Sequence, residues 1–189
     1  MAEKKKKKGR RAYLSDYVQD LNGTYIYRGS YYVAEVPARE LSRILRGILG
    51  LAVLSLLFLV GVGCLSTGTT SGAFYVTLPH VAAIILTVVC LYDTVIVLRG
   101  EGKLRSHQYE HTVSRLRGSS VMSAVCAAIA AVGQTVYTIV SGTPATRVAD
   151  ILFLTGCYVA AVLCFLMFRI QKQIIWRLDA GNERNPIDN

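Results

Sequence analysis

One segment of the chain has the form of a catalytic motif. His107-Gln108-Tyr109-Glu110-His111 fits His-x-x-Glu-His, the inverted zinc-protease pattern. On a helix, residues four apart share a face. His107 and His111 could therefore both hold a zinc ion while Glu110 served as general base of a membrane hydrolase. A third ligand is still required; Glu183 is a candidate, but nothing in the sequence links it to the pair. Enzymes with this pattern are much larger soluble proteins, and the same residue types are ordinary on a short polar helix at a membrane surface. No metal is favoured, no cofactor is expected, and the chain reads as non-enzymatic.

The remaining candidates are polar residues inside apolar stretches. Asp93 is the one acidic residue within a segment expected to span a membrane. Counted from Leu98 at about 1.5 Å per residue, it lies roughly 7–8 Å from the helix end. Arg46, Arg99 and Arg117 end at similar depth and are its candidate ion-pair partners, with an ion or proton relay as the sharper alternative. Gln134 could bond across helices, and His80 falls near the opposite interface. Asp93 and His80 sit at opposite ends of one helix, so they do not form a single site. The cysteines 64, 90, 126, 157 and 164 include no Cys-x-x-Cys pair and read as small, easily buried apolar residues.

These residues are positioned by a chain that is basic yet poor in charge. It has 189 residues and a formal net charge of +9, with 52% hydrophobic and only 17% charged residues. No Asp, Glu, Lys or Arg occurs from Ile48 to Tyr92. That excludes a conventional soluble domain and points to the bilayer, where a spanning helix needs about 20 apolar residues. Four segments qualify: about 44–65, 74–98, 121–140 and 151–168. The N-terminus does not read as a secretory leader, and no lipidation motif is evident.

The connections set the expected orientation. Residues 1–46 hold 11 Lys and Arg, residues 99–120 hold five and residues 169–189 hold four, whereas 66–73 hold none and 141–150 only Arg147. Four spans place 20 of the 21 basic residues on one side, which the positive-inside rule makes cytoplasmic. Ser141-Gly142-Thr143-Pro144 reads as a stop-and-start signal. The fourth helix is expected to continue to about Leu178, because Ile170, Ile174 and Leu178 share a face, with Gly181 as its stop. Pro79 is expected near the start of the second helix. The third span, rich in Ala with Ser123 and Gly133, reads as the central, buried one. Gly47, Gly50, Gly61 and Gly63 read as close-approach positions in the first.

The expected fold is all-α: an integral membrane four-helix bundle of two in-out-in helical hairpins with a small cytoplasmic N-terminal helix/hairpin unit. Residues 1–11 form a disordered polybasic tail and 12–42 the Tyr-rich unit. Residues 43–170 form the membrane domain, with cytoplasmic loop 99–120, and 171–189 a helix extension and tail. In the unit, Ala12 to Leu21 reads as a short helix stopped by Asn22-Gly23. Tyr25-Ile26-Tyr27 and Tyr31-Tyr32-Val33 read as a hairpin about Arg28-Gly29-Ser30. Ser42-Arg43-Ile44-Leu45-Arg46-Gly47 and Ser114-Arg115-Leu116-Arg117-Gly118 lead into the first and third spans. That echo fits either a duplicated hairpin or the common signal of a cytoplasmic helix end.

The functional expectation is a non-enzymatic membrane scaffold or accessory subunit in the cell membrane, with both termini cytoplasmic. A small-solute or ion transporter or channel acting as an oligomer is the alternative. Lys4 to Lys8 with Arg10 and Arg11 suit anionic lipid headgroups better than nucleic acid. A membrane-protein partner or a second copy is the remaining class of partner.

Overall fold

The computed structural model describes residues 17–19, 25–27, 30–65, 73–100, 102–141 and 147–179. The polybasic tail, the Asn22-Gly23 and Arg28-Gly29 turns, Gly142-Thr143-Pro144, Gly181 and Glu183 lie outside the described residues. Along the chain run β1 (Tyr17–Gln19), β2 (Tyr25–Tyr27), β3 (Tyr31–Ala34), α1 (Ala38–Gly63), α2 (Phe74–Arg99), β4 (Lys103–Arg105), α3 (Ser106–Ser141), α4 (Arg147–Gln173) and β5 (Trp176–Asp179).

The chain is predominantly helical, and all four helices are long and apolar enough to cross a membrane, the pattern of an integral membrane protein. Each packs against its neighbours in chain order, and α4 closes onto α1. α3 has 36 residues, about 54 Å at 1.5 Å per residue. It outruns a hydrocarbon core of roughly 30 Å. Residues 106–120, expected mostly as a loop, are therefore the opening turns of α3.

One spacing organises the interior. The buried residues of α1 are Leu41, Leu45, Ile48, Ala52, Ser55, Leu59 and Val62. In α4 and just beyond it they include Phe153, Cys157, Ala160, Cys164, Met167, Gln171 and Ile174. Steps of three and four alternate without a break, a seven-residue repeat that keeps one seam on the neighbouring helices. Outside the seam the helices are apolar as well: Leu57, Leu78, Ile85, Ile139 and Val162 are all more than half exposed. In water such a belt would drive aggregation; lipid tails cover it. The buried share of α3 is no larger than that of α2 or α4, so α3 is not the central helix. In a closed ring of four, each helix has two neighbours.

The N-terminal region departs from expectation. Tyr17–Gln19, inside the expected helix 12–21, is a strand and pairs antiparallel with β2. β3 pairs with neither. It is the middle strand of a second sheet, between β4 and β5. Tyr32 is opposite Leu104 on one side and Leu178 on the other. The expected extension of α4 to Leu178 is corrected too: the helix ends at Gln173, and Trp176-Arg177-Leu178-Asp179 alternates as a strand. Tyr109 of α3 stacks on Tyr32 with ring centroids 4.0 Å apart and reaches Trp176 at 5.8 Å. Gly102 turns the chain into β4 at φ 85°, where a side chain would be strained. α2 starts at Phe74, five residues before Pro79, with Phe74 and Tyr75 exposed.

Two glycines allow close approach. A Cβ on Gly156 would meet Val62 Cγ1 at 2.2 Å, and one on Gly133 would meet Val76 Cγ2 at 3.1 Å. Of the four expected in α1, Gly47, Gly50 and Gly61 face open space, and only Gly63 meets a neighbour, the ring of His80.

Candidate functional site

Several buried polar residues of the spans lie on the seven-residue seam and meet across helices in separate layers, with Asp93 beside the seam position Thr94. At the end bearing the arginines, Asp93 of α2 is fully buried. Arg115 Nε donates to Asp93 Oδ2 at 2.8 Å, and Arg115 Nη2 donates to Oδ1. This is the two-pronged guanidinium–carboxylate fork, with the arginine itself half exposed.

None of the three arginines expected at Asp93 pairs with it. Arg99 ends α2 and is exposed, and Arg46 turns back on its own helix, Nε donating to Ser42 O at 3.2 Å. Arg117 Nη2 donates to Ile174 O at 3.1 Å and to Gln171 O at 3.5 Å. It supplies a donor to the Ile174 carbonyl just past the end of α4 and shares that of Gln171, which also accepts from Ile174 N–H at 3.2 Å. Arg115 escapes a depth count from the span ends because α3 begins at Ser106 rather than near Val121, which puts Arg115 more than two turns inside a helix beside α2.

One layer inward, Ser120 Oγ donates to Gln171 Oε1 at 3.2 Å. At mid-bundle a belt takes one small polar residue from each helix. Thr87 and Ser123 hydroxyls meet at 2.7 Å, the Cys164 thiol reaches Ser123 Oγ at 3.5 Å, and Ser55 Oγ lies 3.2 Å from Cys164 Sγ. The next layer is wholly apolar: Leu59, Ala83, Ala127 and Ala160, none of them exposed.

Beyond it His80 lies buried against Phe153, with Nδ1 3.7 Å from Cys157 Sγ. Last comes Gln134, whose Nε2 donates to Asp150 Oδ1 at 2.9 Å. The cross-helix bond expected of Gln134 thus forms, and Asp150 joins Asp93 as a buried acid within the helices. His80 and Asp93 are separated by about 20 Å along α2 at 1.5 Å per residue.

His107, Glu110 and His111 fall in the first turns of α3, and Glu110 and His111 are exposed. Among the described residues no three His, Cys, Asp or Glu side chains converge as a metal site. Cys90, Cys157 and Cys164 are buried in the seam as free thiols, Cys126 is half-buried and Cys64 exposed.

Three hollows can be placed. A recess of about 940 Å³ is lined by Arg39, Glu40, Arg43, Ile44, Arg46 and Leu98, among others. An apolar groove of about 450 Å³ runs along Tyr75, Val125, Ile129 and Val132 on the outer surface. A void of about 10 Å³ lies between Arg117, Gln171 and Trp176. Asp93, Gln134 and His80 line none of these three. No protein-family model matches the chain, and no curated protein or solved structure shows significant similarity to it.

Proposed function

We propose that this chain is a four-span membrane scaffold or accessory subunit with no catalytic chemistry of its own. Its spans form two in-out-in hairpins, with both termini and residues 99–120 in the cytoplasm. The observation that carries this reading is the apolar layer that interrupts the polar ones. Side chains meet directly across helices in the polar layers, and the apolar layer of Leu59, Ala83, Ala127 and Ala160 divides those layers into two groups. A protein that moves a solute needs hydrated polar groups joined along the bundle axis; one that holds a partner needs a rigid body and an accessible face. The face is supplied at the arginine end, where β3, β4 and β5 join three distant parts of the chain.

The test is recovery of the full-length protein from its native membrane in mild detergent. A stoichiometric companion supports the reading; a lone monomer in every detergent overturns it.

A transporter is the second reading, because the seam places polar side chains at several depths. For ions to pass, the Leu59–Ala83–Ala127–Ala160 layer would have to open. Ion or solute flux in vesicles holding the purified protein would establish that reading in place of the first.

A further inference from the structure

We propose that the outer face of α1 carries a binding site for the headgroup of an anionic phospholipid, separate from the polybasic tail and resting on the membrane-spanning reading above. Arg39, Arg43 and Arg46 stand at steps of four and three, and so share one helix face. That face is turned away from the core face of Leu41, Leu45 and Ile48. All three are exposed. Neither the ion pair of Asp93 with Arg115 nor that of Glu35 with Arg177 uses any of them. The recess they line also contains Glu40, leaving a surplus of positive charge, and half-buried Ile44 and Leu98 give it an apolar side.

Depth selects the ligand. The row from Arg39 to Arg46 covers about 10 Å along the helix. It ends at Arg46, and the uncharged run begins at the next residue, Gly47. That places Arg43 and Arg46 in the headgroup zone, roughly 5–7 Å deep on each side of a bilayer, with Arg39 at its outer edge. The apolar side of the recess continues toward the acyl chains. At about 940 Å³, it has room for a phosphodiester headgroup. Arginine forks match phosphate oxygens in pairs.

The test uses the full-length protein in phosphatidylcholine nanodiscs doped with phosphatidylglycerol, with lipids carried into native mass spectrometry counted by class. Wild type is expected to retain phosphatidylglycerol preferentially. R39Q/R43Q/R46Q should lose that preference about tenfold or more, and E40Q should raise it. A variant with Lys4 to Lys8 replaced by Gln should keep it. R39K/R43K/R46K, with charge and helix retained, should fall between wild type and the Gln triple.

The proposal fails if the Gln triple, folded by circular dichroism, retains phosphatidylglycerol like wild type. It fails if the tail variant alone abolishes retention, or if inorganic phosphate displaces the lipid as well as phosphatidylglycerol itself does. Loss of the membrane reading gives a different result: the protein would then fail to float with vesicles of any composition.

Discussion

The two ends of the bundle solve the same problem with different chemistry. At the arginine end, a buried carboxylate is matched by Arg115, Arg117 closes the end of α4, and a three-stranded sheet lies over the helices. At the far end the contacts are an amide on Asp150 and a thiol beside His80, and the helices approach through Gly133 and Gly156. One end is fastened by charge and strand pairing, the other by shape. A buried charge punishes loss of its partner severely, whereas a packed glycine punishes addition of a methyl group.

The largest expected effect is at the charged end. R115Q leaves the Asp93 carboxylate buried without its guanidinium and should cost about 3 kcal/mol, read as a lowered midpoint of unfolding in mild detergent. D93N/R115Q should recover most of it. An unchanged R115Q midpoint would show that the ion pair does not fasten this end.

Next is G156A at the far end. The new methyl group meets Val62, and the α1–α4 contact must open, at about 1–3 kcal/mol for overpacking. G61A, which faces open space, should leave the midpoint where it was. Equal effects in the two variants would remove the distinction drawn for the shape-fastened end.

Q134L, which deletes the bond to Asp150, should cost about 1 kcal/mol, the scale of cross-helix hydrogen bonds in membranes. A loss as large as that of R115Q would mean that the far end is fastened by charge as well. The smallest effect belongs to the belt between the ends. T87V removes one hydroxyl from a belt of three hydroxyls and a thiol and should cost roughly 0.6 kcal/mol by the same measure. A much larger loss would make the belt, rather than either end, the specificity element of the bundle.

The spans were legible because the charge-free runs are long and the basic residues lie outside them. The seam was harder to read. In a soluble helix the apolar stripe marks the interior. Here every face is apolar, so averaged hydropathy hides the register. The polar residues reveal it instead: His80, Thr87 and Thr94 are seven apart, as are Asp150, Cys157, Cys164 and Gln171, and all seven are buried.

Glycines misled for a related reason. In α1 they fall off the seam, at positions that lipid can cover. The second sheet was illegible because β3 finds its partners far along the chain, as in Tyr31 with Arg105 and Asp179. Local pattern favoured a hairpin with β2 instead. Ile170, Ile174 and Leu178 do fit one helical face, but Trp176 to Asp179 also alternates as a strand. Pairing with β3 decided the matter.

That sheet also orders events during synthesis. β3 leaves the ribosome early, and β4 can join it once α1 and α2 have been made. β5 comes only after α4 is complete, 148 residues beyond the Tyr31 it faces. Until then one edge of β3 is open, Trp176 is missing from beside Tyr109, and Arg117 lacks the carbonyl of Ile174. The sheet is therefore complete only once β5 has been made, and chains stopped short of it would present an open strand edge.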